Sequence, residues 1–273
     1  MADFPTSGAA RVREPAFSIP AVVVALVVAL LAVHAVVEWL GDGARVTAYL
    51  DWGFIPGRLT AALWPDQLDP LRARGNFDPE ALQQARIFRD LLNEGAKPWT
   101  LATYAFLHGS WTHVGVNCIW LVAFGPPVAR RFGAVRFILF FLVTAVAGAL
   151  AHWALAPMDL APLIGASAAD SGLMAAAARF MFQPRAPLGA EDVSRETLSQ
   201  SRTDAPAASL LEMLTQRRAL VFIGFWLVSN FVFGAGAQTL GASEEPVAWV
   251  AHVGGFLAGL LLFPLFDRVG RVD

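Results

Sequence analysis

The chain has 273 residues, 56% hydrophobic and 15% charged, with a mean hydropathy of +0.53, whereas a soluble domain carries roughly 25% charged residues. A net charge of -2 offers no basic stripe, so nucleic acid is excluded as a partner. One cysteine, Cys118, rules out an intramolecular disulfide and a cysteine-built metal site, and composition leaves an integral, multi-pass protein of the lipid bilayer.

Six apolar stretches suit a hydrocarbon core, which takes about 20 helical residues. The first, about 18–40, stays lipid-like from Ile19 to Leu40 and runs too long for a signal peptide, so it reads as a retained helix. Near its outer end His34 precedes Glu38 by four residues, a spacing that predicts an interfacial hydrogen bond. The first connection, about 41–100, interleaves Pro56, Pro65, Pro70 and Pro79 with Trp52, Trp64 and Trp99. Within it Leu82, Ile87, Leu91 and Leu92 fall partly on one side of a helical pattern. Either an amphipathic helix in the outer interface or a loop packed on itself satisfies that pattern.

The other spans are about 112–129, 134–155, 165–182, 218–240 and 247–266. The connection at about 183–217, rich in Ser, Ala, Pro and Arg, is expected to be a mobile loop. Cys118 reads as a small packing residue, and Trp226, Phe231 and Phe233 of the fifth span as lipid-facing or packing surface.

Loop charge sets an orientation, because Lys and Arg gather on cytoplasmic segments. Arg11 and Arg13 precede the first span, Arg130, Arg131 and Arg136 surround the second connection, and Arg185, Arg195, Arg202, Arg217 and Arg218 surround the fourth. Arg268 and Arg271 follow the last span, while the third and fifth connections hold only Asp159, Glu244 and Glu245 as charges. Both termini are therefore expected in the cytoplasm: segment 1–17, then a membrane domain over 18–266 with its long first loop outside, then tail 267–273.

Ser167 opens the fourth span in Gly165-Ala166-Ser167-Ala168-Ala169-Asp170-Ser171-Gly172, and His252 lies in the sixth in Ala251-His252-Val253-Gly254-Gly255-Phe256-Leu257-Ala258-Gly259. Polar groups are costly in a bilayer, so a hydroxyl and an imidazole at similar depth on separate spans mark a functional site. The chemistry they suit is hydrolysis, with the imidazole taking the proton of an otherwise weak nucleophile. Gly255 and Gly259 allow close helix packing, expected against the run Ala175 to Ala178. His113 and Asn117 stand four apart near the outer end of the second span, so both project from one face as oxyanion donors, joined by the backbone N–H of Ser167 at a helix start. His108 is expected to order its loop. Asp170 has three readings: it orients His252, it pairs with His152 near the end of the third span, or it stays protonated and hydrogen-bonded.

These residues resemble the rhomboid family of intramembrane serine proteases. The likeness rests on His108, His113 and Asn117 in a His-x4-His-x3-Asn pattern, on the Gly165 to Gly172 serine motif, and on Ala-His-x2-Gly-x3-Gly from Ala251 to Gly259, and it covers about 95–266. It implies an all-α, six-transmembrane-helix bundle with an outward-opening aqueous cavity. It assigns Ser167 as nucleophile, His252 as general base, and His113 with Asn117 as oxyanion donors. The chain departs from the family pattern at Ala168, where Gly is usual, at Ser171, where an aromatic ring often packs on the histidine, and at Trp99-Thr100, where tryptophan-arginine is usual.

The implied activity is endoproteolysis of transmembrane segments near the outer face, favouring substrates with helix-destabilising or small residues at the cut. No metal or organic cofactor is implied, and the location expected for so compact a chain is a bacterial inner membrane. The alternative is a rhomboid-like pseudoprotease that binds membrane clients uncut, of which loss of Ser167 or His252 would be the usual sign. A solute transporter would instead show broken helices or midplane charges.

Overall fold

A computed structural model describes residues 19–68, 94–183, 206–232 and 249–267, with isolated helical positions at Gln83, Arg86, Arg89 and Asp90. The apolar face at Leu82, Ile87, Leu91 and Leu92, most of the fourth connection, Phe233, the fifth connection and both termini lie outside the described residues.

Helix α1 (Ala21–Trp39) starts behind Pro20, whose ring fixes φ at -55°, and runs through an unbroken apolar sequence. Gly41 then takes a φ of +84° and turns the chain into α2 (Asp42–Trp52). Helix α3 (Pro56–Leu63) has proline in its first position, where the missing N–H costs nothing. The loop continues through a short α4 (Thr100–Thr103) and a 3-10 turn at Tyr104–Phe106. Helix α5 (Trp111–Phe132) is capped by Ser110, whose hydroxyl accepts the backbone N–H of His113 at 3.1 Å. Gly133, at φ +78°, reverses the chain into α6 (Ala134–Leu155). Then come α7 (Ser167–Met181), α8 (Leu210–Thr215) with a Ser209–Glu212 capping box, α9 (Arg217–Phe231) and α10 (Trp249–Phe266).

Among the described residues four helices, α1, α5, α6 and α10, are long and apolar enough to cross a membrane. Helix α7 and the described part of α9 have 15 residues each, about 22 Å at 1.5 Å per residue, against the roughly 30 Å hydrocarbon layer. The fourth predicted span starts as a helix two residues late because Gly165, at φ +116°, is not helical. Among the described residues the architecture is all-helical, with one isolated bridge between Phe54 and Leu163.

Helix α7 is the centre: every residue from Ala168 to Phe180 is buried. It packs on α5, α6 and α10, while α1 lies along α5. A Cβ on Gly255 would fall inside the Ala168 carbonyl, and one on Gly259 inside the Gly172 carbonyl. The glycines therefore meet Ala168 and Gly172, not the expected run Ala175 to Ala178. The reason is register: 255 and 259 are four apart, as are 168 and 172, so two small-residue strips mate at backbone distance. Ala175 packs instead with Trp226 and Phe256, and Ala178 with Ala208 and Met213.

At the end remote from Ser167, Arg131 makes two 2.8 Å bonds to Asp267, with its guanidinium 4.7 Å from the Phe180 ring centre. Counted above as a loop charge, Arg131 lies in the last turn of α5 and is buried. The described part of the first loop packs on the protein. Trp64 stacks on Trp153 at 5.6 Å, and buried Arg58 donates to the Leu50 carbonyl at 2.7 Å and to Glu94 at 3.2 Å.

Candidate active site

The backbone leading to Ser167 is held from three sides. Leu163 and Phe54 exchange backbone hydrogen bonds of 2.7 and 3.1 Å, and the Gly165 N–H donates to the Tyr104 carbonyl at 3.0 Å. Tyr104 is itself fixed by its hydroxyl, which donates to the Ala145 carbonyl at 2.8 Å. The next N–H, of Ala166, donates to His108 Nε2 at 3.4 Å. Gly165 adopts φ +116°, open to glycine and strained for other residues. An added Cβ there would lie 2.7 Å from His113 Nε2 and 3.6 Å from Asn117 Nδ2. The turn that delivers Ser167 thus passes directly over the two side chains expected to bind an oxyanion. Helix α7 starts at Ser167 with no side-chain cap, so its first N–H groups are without intrahelical partners.

Asn117 is 2% exposed, and its Nδ2 has no hydrogen-bond partner among the described residues. Buried donors without a partner are uncommon, and a catalytic or ligand-binding role is one of the few reasons for keeping one. His113 is half-buried, with its ring 5.0 Å from that of His108 and nearly perpendicular to it. His108 is 1% exposed, and burial, reinforced by His113 and His34, pushes its imidazole down to about 3. It is neutral, which suits an Nε2 that accepts from Ala166. The Tyr49 hydroxyl donates to the His108 carbonyl at 2.9 Å, so His108 ties the first loop to the turn before Ser167.

His252 enters from α10. Gly255, three residues on, touches the backbone of Ala168, the neighbour of Ser167, so α10 meets α7 at backbone distance one turn from His252 and beside Ser167. The Ala168 methyl, at the position where the family usually has Gly, is accommodated against α6, which presents Gly148; a Cβ added there would come 2.5 Å from it.

The ring of His252 is oriented by a residue that sequence reasoning missed. Its Nδ1 lies 2.6 Å from Oδ1 of Asn230 on α9, and Asn230 Nδ2 donates to the Trp249 carbonyl at 3.3 Å. The available signal was a carboxamide inside an apolar span, which is uncommon without a purpose.

Asp170 is 2% exposed, and neither carboxyl oxygen has a hydrogen-bond partner among the described residues. It orients neither His252, whose Nδ1 is taken by Asn230, nor His152, which pairs with Asp159 at 3.3 Å. Ser171 donates to the Ser167 carbonyl at 2.8 Å, within its own helix. The bond expected between His34 and Glu38 is also not formed. His34 is buried 4.6 Å from the Trp111 ring, while Glu38 accepts from Arg45 at 3.1 Å as the chain turns into α2. Among the described residues no group of three His, Cys, Asp or Glu is placed to hold a metal ion.

The family model for the Rhomboid domain matches residues 95–268. The chain belongs to the rhomboid family. Two curated relatives each share 32% identity with it. Human "Rhomboid-related protein 3" matches over 98 residues, 36% of this chain and 23% of its own length. A Bacillus subtilis (strain 168) protein named "Putative rhomboid protease YdcA" matches over 75 residues, 28% of this chain and 37% of its own length. The matches thus span well under half of either relative. In this rhomboid the family match takes in α4 to α10, with His108, His113, Asn117, Ser167, Asn230 and His252 inside it, and leaves His34 and Arg58 outside.

Proposed function

We propose that this rhomboid is an intramembrane serine endopeptidase that cleaves transmembrane segments of other membrane proteins near the outer face. The carrying observation is the Gly165 turn, which seats the start of α7 against His113 and Asn117 while Gly255 holds the helix of His252 to Ala168. Ser167 Oγ attacks the scissile carbonyl carbon as His252 Nε2 takes its proton. The oxygen that becomes negative receives hydrogen bonds from His113, from Asn117 Nδ2 and from the Ser167 backbone N–H. Collapse breaks the C–N bond, and the imidazolium returns its proton to the departing amine. Water then repeats the sequence on the acyl-enzyme and releases the carboxylate.

The six predicted spans, both termini on the cytoplasmic side and the first loop outside belong to the same reading, supported by the distribution of Lys and Arg. Substrates with small or helix-destabilising residues at the cut are preferred, because helical peptide bonds are shielded by their own hydrogen bonds. The test is cleavage of a transmembrane substrate in lipid vesicles by the parent, Ser167→Ala and His252→Ala chains, all shown to be folded. Loss of cleavage in both variants supports the reading. A folded parent that binds such segments uncut overturns it in favour of a client-binding pseudoprotease.

A further inference from the structure

We infer that Asn230 is the positioning residue of the general base, so that Ser167, His252 and Asn230 act as a serine-histidine-asparagine triad rather than a dyad. This rests on the protease reading above. The amide of Asn230 has a defined orientation. Its Nδ2 donates to the Trp249 carbonyl at 3.3 Å, an acceptor that only the NH2 end can satisfy. Oδ1 is therefore the atom turned to His252, and at 2.6 Å from Nδ1 it accepts a hydrogen bond from an Nδ1–H. A neutral imidazole carries one proton, so fixing it on Nδ1 leaves the Nε2 lone pair free, the form needed to take a proton from a serine hydroxyl.

The alternatives on the neighbouring helices are accounted for. Asp170 makes no hydrogen bond to the ring, and Ser171, at the position where the family often has an aromatic ring, is engaged with the Ser167 carbonyl. The chain thus orients its histidine by a hydrogen bond from α9. Trp226, one turn before Asn230, stacks on Phe256 of α10 at 4.1 Å and holds α9 at the distance that bond requires.

The experiment uses the full chain in lipid, uniformly 15N-labelled at its five histidines, with the His252 signals assigned by their loss in His252→Gln. The parent is expected to show His252 in the Nδ1–H tautomer, and Asn230→Ala a mixture of tautomers. In cleavage assays Asn230→Ala is expected to lower kcat about tenfold or more with KM little changed. Asn230→Asp should recover most of that loss, because a carboxyl presents an acceptor oxygen in either protonation state. An Nε2–H tautomer in the parent overturns the inference even if neither Asn230 variant folds. So does a folded Asn230→Ala with parental kcat and parental histidine signals. The tautomer is read without any cleavage, so a failure of the protease reading, seen as a parent that does not cut or a Ser167→Ala that does, is separate from a failure of the Asn230 assignment.

Discussion

Replacing Gly165 with Ala attacks the site where backbone comes closest to the oxyanion donors. The new Cβ would lie 2.7 Å from His113 Nε2 and 2.8 Å from Cε1. Ordinary contact begins near 3.4 Å, so the ring must retreat by about 0.7 Å. The backbone conformation, at φ +116°, adds strain of about 1–3 kcal/mol for a residue with a Cβ. A misplacement of about 1 Å in a catalytic group costs on the order of a hundredfold in rate, so kcat is expected to fall about ten- to a hundredfold. The fold survives, because the Leu163–Phe54 and Gly165–Tyr104 backbone bonds do not involve the new methyl. The assay pairs thermal unfolding with cleavage kinetics in vesicles, using Gly224→Ala as control, since nothing lies within 4 Å of a Cβ there. A Gly165→Ala chain with lowered Tm but parental kcat refutes the claim that this turn sets the oxyanion site.

Gly259→Val drives a side chain into the Gly172 backbone, which cannot give way, and is expected to cost at least about 1–3 kcal/mol of stability, read as a lowered Tm. Arg131→Ala leaves the Asp267 carboxylate without its two 2.8 Å bonds and is expected to cost about 3–5 kcal/mol, whereas a paired Arg131→Met, Asp267→Leu chain loses less. Asp170→Asn is expected to keep turnover within a few-fold of the parent in the same cleavage assay, and a large specific loss would restore Asp170 to the catalytic set. His108, neutral in the fold and held down to about 3, stabilises the protein fully above the ordinary imidazole value of 6.5 and progressively less as pH falls toward 3. Unfolding followed against pH should therefore show a loss below about 6.5 that is reduced in His108→Gln, compared with each chain's own stability at neutral pH.

Four of the six predicted spans were legible because long apolar runs announce themselves: among the described residues, the four helices long enough to cross a membrane lie within a few residues of their predicted limits. The local part of the candidate site was legible for a similar reason: His113 and Asn117, four apart, lie on one helix, and Ser167 begins a helix as the apolar segment it opens suggested. What the sequence did not convey depends on which surfaces face each other. Gly255 and Gly259 advertise a close helix contact, but only the matching four-residue strip at Ala168 and Gly172 identifies the partner. Asp170 attracted attention as a charge near the serine, while Asn230, 63 positions from Ser167 in the chain, reached His252 from a helix whose rotation the sequence does not specify. His34 went the same way: spacing paired it with Glu38, and the turn into α2 gave Glu38 to Arg45 instead.

The most direct measurement of the central claim is covalent trapping. A fluorophosphonate reacts with a serine only when a base activates it, so the reconstituted parent, Ser167→Ala and His252→Ala chains are treated with the probe and the adduct is mapped by peptide mass spectrometry. An adduct on Ser167 is expected in the parent and none in either variant. A folded parent that takes no label, or a His252→Ala chain labelled at Ser167 at the parental rate, would contradict the claim.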